Sequence, residues 1–133
     1  MAPIKTPTRI YKDLDLSFSA HPEKGDVLKK LDISAIIQSL RSLLFTIPGE
    51  RPFQPNLGSP LYNLLFEQLD DISIALIDKT ISHTIQNFEP RVSLDLVQIL
   101  PNDEENEVQI SIFFTVKGTQ TPASFTTTLK RLR

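Results

Sequence analysis

The chain has 133 residues, a formal net charge of −2 at pH 7 and no cysteine. This length predicts a single domain over residues 1–133, and the small net charge gives no field that would attract nucleic acid. Without cysteine the chain cannot form a disulfide, a zinc–thiolate site or a cysteine nucleophile. No apolar run approaches the roughly 18 residues of a membrane span and no secretory signal opens the chain, so we expect no membrane association.

The first 30 residues predict little regular structure. Residues 1–12 combine prolines with basic residues and predict a flexible terminal arm. Over residues 13–18 leucine or phenylalanine alternates with polar residues, which is typical of a half-buried strand or of an extended segment lying on a surface. Residues 21–26 have the composition of a loop.

Three helices are predicted next. Apolar residues recur at helical spacing over about 33–45, and again over about 71–87, where Asp70 and Asp71 stand at the positive end of the helix dipole. Between them, Ser59 followed by Pro60 predicts the start of a short helix, with the serine hydroxyl as its N-cap.

An irregular loop is predicted over residues 46–59, because three prolines and two glycines exclude regular structure there. A loop of this length in a compact domain is usually functional or disordered. We expect it to be ordered, with Phe53 and Leu57 anchoring it on the core.

Three strands are predicted at the C-terminus, over about 91–100, 107–117 and 123–132. The middle strand alternates cleanly, with apolar residues at every even position from Val108 to Val116. The predicted fold class is therefore α+β, with N-terminal helices packed on a C-terminal antiparallel β-meander of about three strands.

A rigid corner joins the last helix to the first of these strands. Pro90 has a fixed φ and no N–H, so it ends the helix and holds its neighbours extended. Extended geometry places the Glu89 and Arg91 side chains on the same side of the chain. Two interpretations stay open: a local ion pair at the junction, or a fixed docking point for another protein.

Catalytic and metal chemistry find little support in the residues. His21 and His83 have no second ligand at metal-binding spacing, and no nucleotide-binding or serine-hydrolase motif is present, so we expect no metal and no cofactor. A lysozyme-like glycoside hydrolase using Glu50 and Glu89 is the alternative function. Each of these carboxylates lies near an arginine in the sequence, and a neighbouring positive charge lowers the pKa of a carboxyl group. A general acid needs a raised pKa, so we expect that the protein is not an enzyme.

Several stretches together resemble a known family, the small baseplate wedge protein of contractile-tailed phages, which includes the sheath-initiating baseplate subunit of type VI secretion systems. The resemblance covers nearly the whole chain. It is carried by the following stretches: Asp13–Phe18, Gly25-Asp26-Val27, Thr46–Phe53 with its Gly49-Glu50-Arg51, Gly58-Ser59 ahead of Leu65-Phe66-Glu67, and Glu89-Pro90-Arg91-Val92.

The resemblance implies a structural protein of the virion tail baseplate, present in the host cytoplasm during assembly. It implies docking on wedge core proteins, templating of the first ring of tail sheath subunits, and several copies per baseplate ring. Glu89, Pro90 and Arg91 correspond to the family's docking motif, and we expect Glu50 and Arg51 to lie beside them. Some family members carry a lysozyme-like label.

The last strand is the expected contact for the sheath, since a meander leaves its final strand at an edge. The resemblance favours strand addition there over simple protection of the edge by Lys130, Arg131 and Arg133. The residues expected to form this surface are Ser124, Thr126, Thr128 and Lys130.

Overall fold

The computed structural model describes residues 12–14, 16 and 29–131. Helices precede a three-stranded antiparallel sheet, which confirms the predicted α+β class. Residues 1–11 of the predicted arm and the predicted loop at 21–26 lie outside the described residues. In chain order the elements are β1 (Lys12–Leu14), β2 (Lys29–Leu31), α1 (Asp32–Phe45), α2 (Leu61–Leu65), α3 (Asp71–Phe88), β3 (Val92–Asn102), β4 (Glu107–Val116) and β5 (Thr121–Lys130).

The longest helix, α3, starts and packs as its sequence predicts. The Asp70 side chain accepts a hydrogen bond of 2.7 Å from the Ser73 N–H and caps the first turn. Ile77, Ile81 and Ile85, each four residues apart, are fully buried. One stripe of α3 therefore faces the core.

The sheet has the order β3-β4-β5, with every neighbour antiparallel. In β4 the even-numbered residues from Val108 to Val116 are all buried, as their alternation predicts. They pack in one core with Phe125 and Leu129 of β5 and with apolar residues of all three helices. The helices therefore cover a single face of the sheet.

The C-terminal end of β5 is tied to the helical layer by Arg131. Its backbone N–H donates to the Asn106 carbonyl at 2.9 Å, which extends the β4–β5 pairing by one position. Its guanidinium donates to the carbonyls of Leu65 at 3.4 Å and Glu67 at 2.8 Å, at the end of α2. These carbonyls have no partner within a helix that has ended, so the arginine satisfies them.

The predicted N-cap of α2 is wrong. The helix begins at Leu61 with Pro60 in the capping position, and no side chain caps it. The Ser59 hydroxyl is buried and has no hydrogen-bond partner among the described residues. Its backbone N–H donates instead to the Thr46 carbonyl at 2.9 Å, so Ser59 closes the preceding loop rather than opening the helix.

The N-terminal ribbon lies on the surface. β1 and β2 pair antiparallel, and Gln38 of α1 bonds both the Leu14 carbonyl and the Leu16 N–H. Leu14 and Leu16 are each more than half exposed. Leu14, at the end of the strand β1, and Leu16 are therefore exposed rather than half buried, and residues 15, 17 and 18 of the predicted 13–18 segment lie outside the described residues. Within the described residues, no helix is long and apolar enough to cross a membrane.

Candidate functional site

The corner between α3 and β3 holds a bidentate ion pair. The Arg91 guanidinium donates from Nε to Glu89 Oε1 at 2.6 Å and from Nη2 to Oε2 at 2.8 Å. The two side chains therefore meet, as predicted, but the expected extended geometry is wrong: Pro90 and Arg91 form a turn, with the Val92 N–H 3.5 Å from the Glu89 carbonyl oxygen. Two parallel bonds fix the plane of the guanidinium as well as its position.

The carboxylate of this pair is buried, with Glu89 only 3% exposed. A third hydrogen bond reaches its Oε2 from the Ser39 hydroxyl of α1, at 2.7 Å. Burial acts to raise the pKa of Glu89, but the hydrogen bonds from Arg91 and Ser39 and the charge of Arg91 outweigh it. The pKa of Glu89 is therefore lowered, and the group is an internal anion at neutral pH.

Ser39 was not predicted from the sequence. It lies three residues after Ile36 and four before Leu43, on the apolar side of α1. The side chains next to it on this side of the helix, Ile36 and Leu43, cannot form a hydrogen bond with its hydroxyl. A serine among apolar residues was therefore the sequence signal that could have identified Ser39 as a half-buried hydrogen-bond donor. Its partner is 50 residues away in the chain, so no local pattern identifies Glu89.

A cavity of about 350 Å³ is lined by Ser39 and Phe88, which are neighbours of the corner, but not by Glu89, Pro90 or Arg91 themselves. Ser39 lines it from α1, Phe88 from the end of α3, and Arg51 and Leu57 from the 46–59 loop. The structure therefore brings Arg51 to the same cavity as the hydroxyl that holds Glu89. Glu50 does not share this cavity lining: its carboxylate accepts a hydrogen bond of 3.2 Å from the Ile47 N–H within the loop.

The predicted anchoring of the 46–59 loop by Phe53 is wrong, because this side chain is 96% exposed. Backbone contacts close the loop instead. The Ser59 N–H donates to Thr46, and Gly58 adopts a φ of +128°. A Cβ at Gly58 would lie 2.4 Å from the Thr46 carbonyl oxygen, so only glycine allows the two ends of the loop to approach this closely.

The outer edge of β5 can be identified from one backbone hydrogen bond and the register of the β4–β5 pair. In an antiparallel pair, alternate residues turn their N–H and C=O groups toward the partner strand. The Arg131 N–H faces β4, where it bonds Asn106, so the odd-numbered residues of β5 face β4 as well. Four consecutive even-numbered residues turn these groups outward, and they are the four predicted to form the sheath contact: Ser124, Thr126, Thr128 and Lys130.

The start of β5 agrees with this assignment. β5 begins at Thr121 rather than near the predicted residue 123, so Pro122 lies inside the strand and not before it. An even-numbered position puts the missing N–H of Pro122 on the outer side. Proline is tolerated in a strand only at such an edge position.

The opposite edge, formed by β3, is interrupted. The Lys117 N–H donates to the Arg91 carbonyl at 2.8 Å, so the odd-numbered residues of β4 face β3. A bulge between Leu94 and Leu96 shifts the register, and Pro101 then falls on the outward side. Bulges and prolines at an edge prevent pairing with another strand.

The comparison with known proteins decides the family. The family model "Baseplate wedge protein gp25" matches residues 32–121, which include the Glu89–Arg91 corner and the 46–59 loop. The chain belongs to this family. The Baseplate wedge protein gp25 of Enterobacteria phage T4 is 29% identical over 108 residues, which is 81% of each chain.

Solved structures resemble this baseplate wedge chain over most of its length. A candidate tail lysozyme from Geobacter sulfurreducens superposes with a TM-score of 0.69 and 25% identity, over 74% of this chain and 89% of that one. A chain of the anti-feeding prophage baseplate gives 0.66 and 25% identity, over 93% and 88%. A chain of the postcontracted pyocin R2 baseplate gives 0.60 and 20% identity, over 75% and 98%, which shows the same fold.

Family membership and these neighbours give the wedge protein a structural role in a tail baseplate. The matched segment ends at Thr121, the first residue of β5. The outer edge of β5 therefore lies beyond the part of the chain that the family model describes.

Proposed function

We propose that this chain is a non-catalytic connector of the baseplate wedge, which docks on wedge core proteins through the Glu89–Arg91 corner and templates the first sheath ring through β5. The observation that carries the proposal is the difference between the two sheet edges. A bulge and a proline interrupt β3, whereas β5 continues in regular register from Ala123 to Lys130.

The docking part of the proposal assigns different tasks to the two charged residues. Glu89 is buried, and both its oxygens accept hydrogen bonds from Arg91 or Ser39. Arg91 has 27% of its side chain exposed and reaches the surface. Glu89 is then the positioning residue, and Arg91 meets the partner. Arg51 lines the cavity next to this surface and belongs to the same docking region.

Arg91 variants test docking. Arg91→Lys keeps the positive charge but loses the planar, two-bonded geometry, so we expect it to fold and to lose co-purification with wedge proteins. Arg41, an exposed arginine of α1, gives the matched control: Arg41→Ala should co-purify normally. Normal co-purification of both Arg91→Lys and Arg91→Ala would reduce the pair to a local structural contact.

The templating part rests on strand addition. The outward N–H and C=O groups of Ser124, Thr126, Thr128 and Lys130 match the spacing that an incoming extended chain requires. Their side chains are exposed on the uncovered face of the sheet, where they hinder no partner. Lys130 is paired with Glu107 at 3.4 Å on the neighbouring strand, while its side chain stays 81% exposed.

A proline scan of β5 tests templating. Thr126→Pro removes an outward N–H, so the variant should fold, join the wedge and fail to nucleate sheath in electron micrographs. Thr126→Val is the matched control, because it changes the side chain and keeps the N–H. Thr127→Pro removes an N–H that faces β4 and should lower the melting temperature instead. Full-length sheath growing from Thr126→Pro baseplates would show that β5 is not the template.

The absence of catalysis is also part of the proposal. One structural neighbour is described as a candidate tail lysozyme, whereas the sequence relative and the other two neighbours are baseplate proteins. Glu89 is poorly suited to general-acid catalysis, because it is buried, paired with Arg91 and has a lowered pKa. A glycosidase acid requires a raised pKa and access to the sugar.

A further inference from the structure

Phe53 is the most exposed large apolar side chain among the described residues, at 96%. It stands between the exposed Pro52 and Pro55, in a loop that also carries the half-exposed Ile47. Single exposed apolar residues are common and need no explanation on their own. Phe53 differs because the loop that carries it has a fixed conformation.

Successive backbone hydrogen bonds fix the loop tip. The Gln54 N–H donates to the Arg51 carbonyl at 3.3 Å, and the Leu57 N–H donates to the Gln54 carbonyl at 3.1 Å. A longer bond of 2.9 Å, from the Gly49 N–H to the Pro55 carbonyl, closes the tip across its base. A partner would therefore meet Phe53 in a pre-organised position, and little backbone entropy would be lost on binding.

We propose that Phe53 is an anchor that inserts into an apolar pocket of a neighbouring baseplate protein, next to the contact made by Arg91. This inference rests on the proposed docking function. It follows from continuity: Arg51, two residues before Phe53, lines the cavity that Ser39 also lines, and Ser39 holds Glu89. The loop tip thus extends the docking region rather than starting a separate one.

The surroundings of Phe53 favour a protein as its partner. Buried aromatic anchors surrounded by polar groups are the usual centres of protein interfaces. Glu50 and Arg51, which precede Phe53 in the same loop, carry one negative and one positive charge. A lipid surface or nucleic acid attracts positive charge alone, and the chain as a whole carries a net charge of −2.

The test measures binding of purified chain to a wedge complex reconstituted from the same baseplate without this protein. Phe53→Ala should weaken binding at least about tenfold, since truncated hot-spot residues typically cost this much. Phe66→Ala is the matched control, because Phe66 is 60% exposed but follows α2 outside the docking region. That variant should bind within about twofold of wild type, and both should keep the wild-type melting temperature.

A second measurement locates the pocket. With p-benzoylphenylalanine in place of Phe53, irradiation of the reconstituted complex should cross-link the chain to a single baseplate protein. Wild-type affinity of Phe53→Ala, with Arg91→Lys impaired, would overturn the anchor and leave the docking corner intact. Failure of the wild-type chain to bind the wedge complex would instead refute the proposed function. Binding of the chain to phosphatidylglycerol vesicles that Phe53→Ala abolishes would assign the residue to lipid and overturn the proposal.

Discussion

Removing the Glu89 carboxylate should destabilise the fold by a predictable amount. Glu89→Ala deletes two charge-assisted bonds from Arg91 and one from Ser39. Breaking a fully buried ion pair costs about 3–5 kcal/mol, because it leaves an uncompensated charge. Arg91 has 27% of its side chain exposed, so water can solvate part of its guanidinium once the Glu89 carboxylate is removed. We therefore expect about 2–3 kcal/mol, which corresponds to a drop in melting temperature of roughly 6–12 °C in a domain of this size.

A double-mutant cycle isolates the pair from other effects of truncation. If the loss comes from stranding Arg91, the variant carrying both Glu89→Ala and Arg91→Ala should be more stable than the sum of the single changes predicts. Urea unfolding of the four proteins at pH 7 gives the coupling free energy. Strict additivity would mean that the two side chains do not stabilise each other.

The pH dependence gives a second check on the same carboxylate. The pKa of Glu89 is lowered in the folded chain relative to its ordinary value of 4.5. Its contribution is therefore complete above that value and is lost as the pH falls through the folded-state pKa. The stability difference between wild type and Glu89→Gln should shrink on acidification below about pH 4.5. A difference that stayed constant or grew in acid would refute the assignment of Glu89 as a stabilising buried anion.

Three further variants probe the loop, the C-terminal tie and catalysis. Gly58→Ala should cost about 3 kcal/mol or more, since it combines a φ of +128° with a Cβ 2.4 Å from the Thr46 carbonyl; a wild-type melting temperature would contradict this. Arg131→Ala should cost about 1 kcal/mol and speed amide exchange at the end of β5; unchanged exchange there would show that the contact with α2 is not stabilising. Purified chain should release no glycan from peptidoglycan, with Glu50→Gln indistinguishable from wild type; release that Glu50→Gln abolishes would establish the enzyme.

The elements with strong local periodicity could be predicted from the sequence. Two elements show this directly: β4, with its alternation from Val108 to Val116, and α3, with Ile77, Ile81 and Ile85 four residues apart. In each element the apolar pattern reflects burial of one face, and this pattern can be read without knowing the other elements. The contact between Glu89 and Arg91 was also accessible, because the two residues flank Pro90, although a turn rather than an extended segment brings them together.

Features that depend on distant contacts could not be predicted. Ser39 meets Glu89 only after α1 packs near the end of α3. The 46–59 loop is closed by backbone contacts of Gly58 and Ser59 with Thr46, in which neither the Phe53 side chain nor the Ser59 hydroxyl takes part. The bulge near Leu94 has no local signature, because it arises from pairing with β4. In each case a tertiary contact overrides a sound local preference.

The unequal edges of the sheet give the molecule a polarity. A polymer that is built by strand exchange can continue beyond a subunit only if both edges of that subunit's sheet can pair with strands of its neighbours. Here the bulge and Pro101 close one side, while β5 leaves the other extendable. If β5 templates the sheath as proposed, such a subunit would work as an end cap: assembly would start on it and proceed away from it, and no second filament would grow backward from the same sheet. A single register shift in β3 would thus set the direction of growth of a much larger structure.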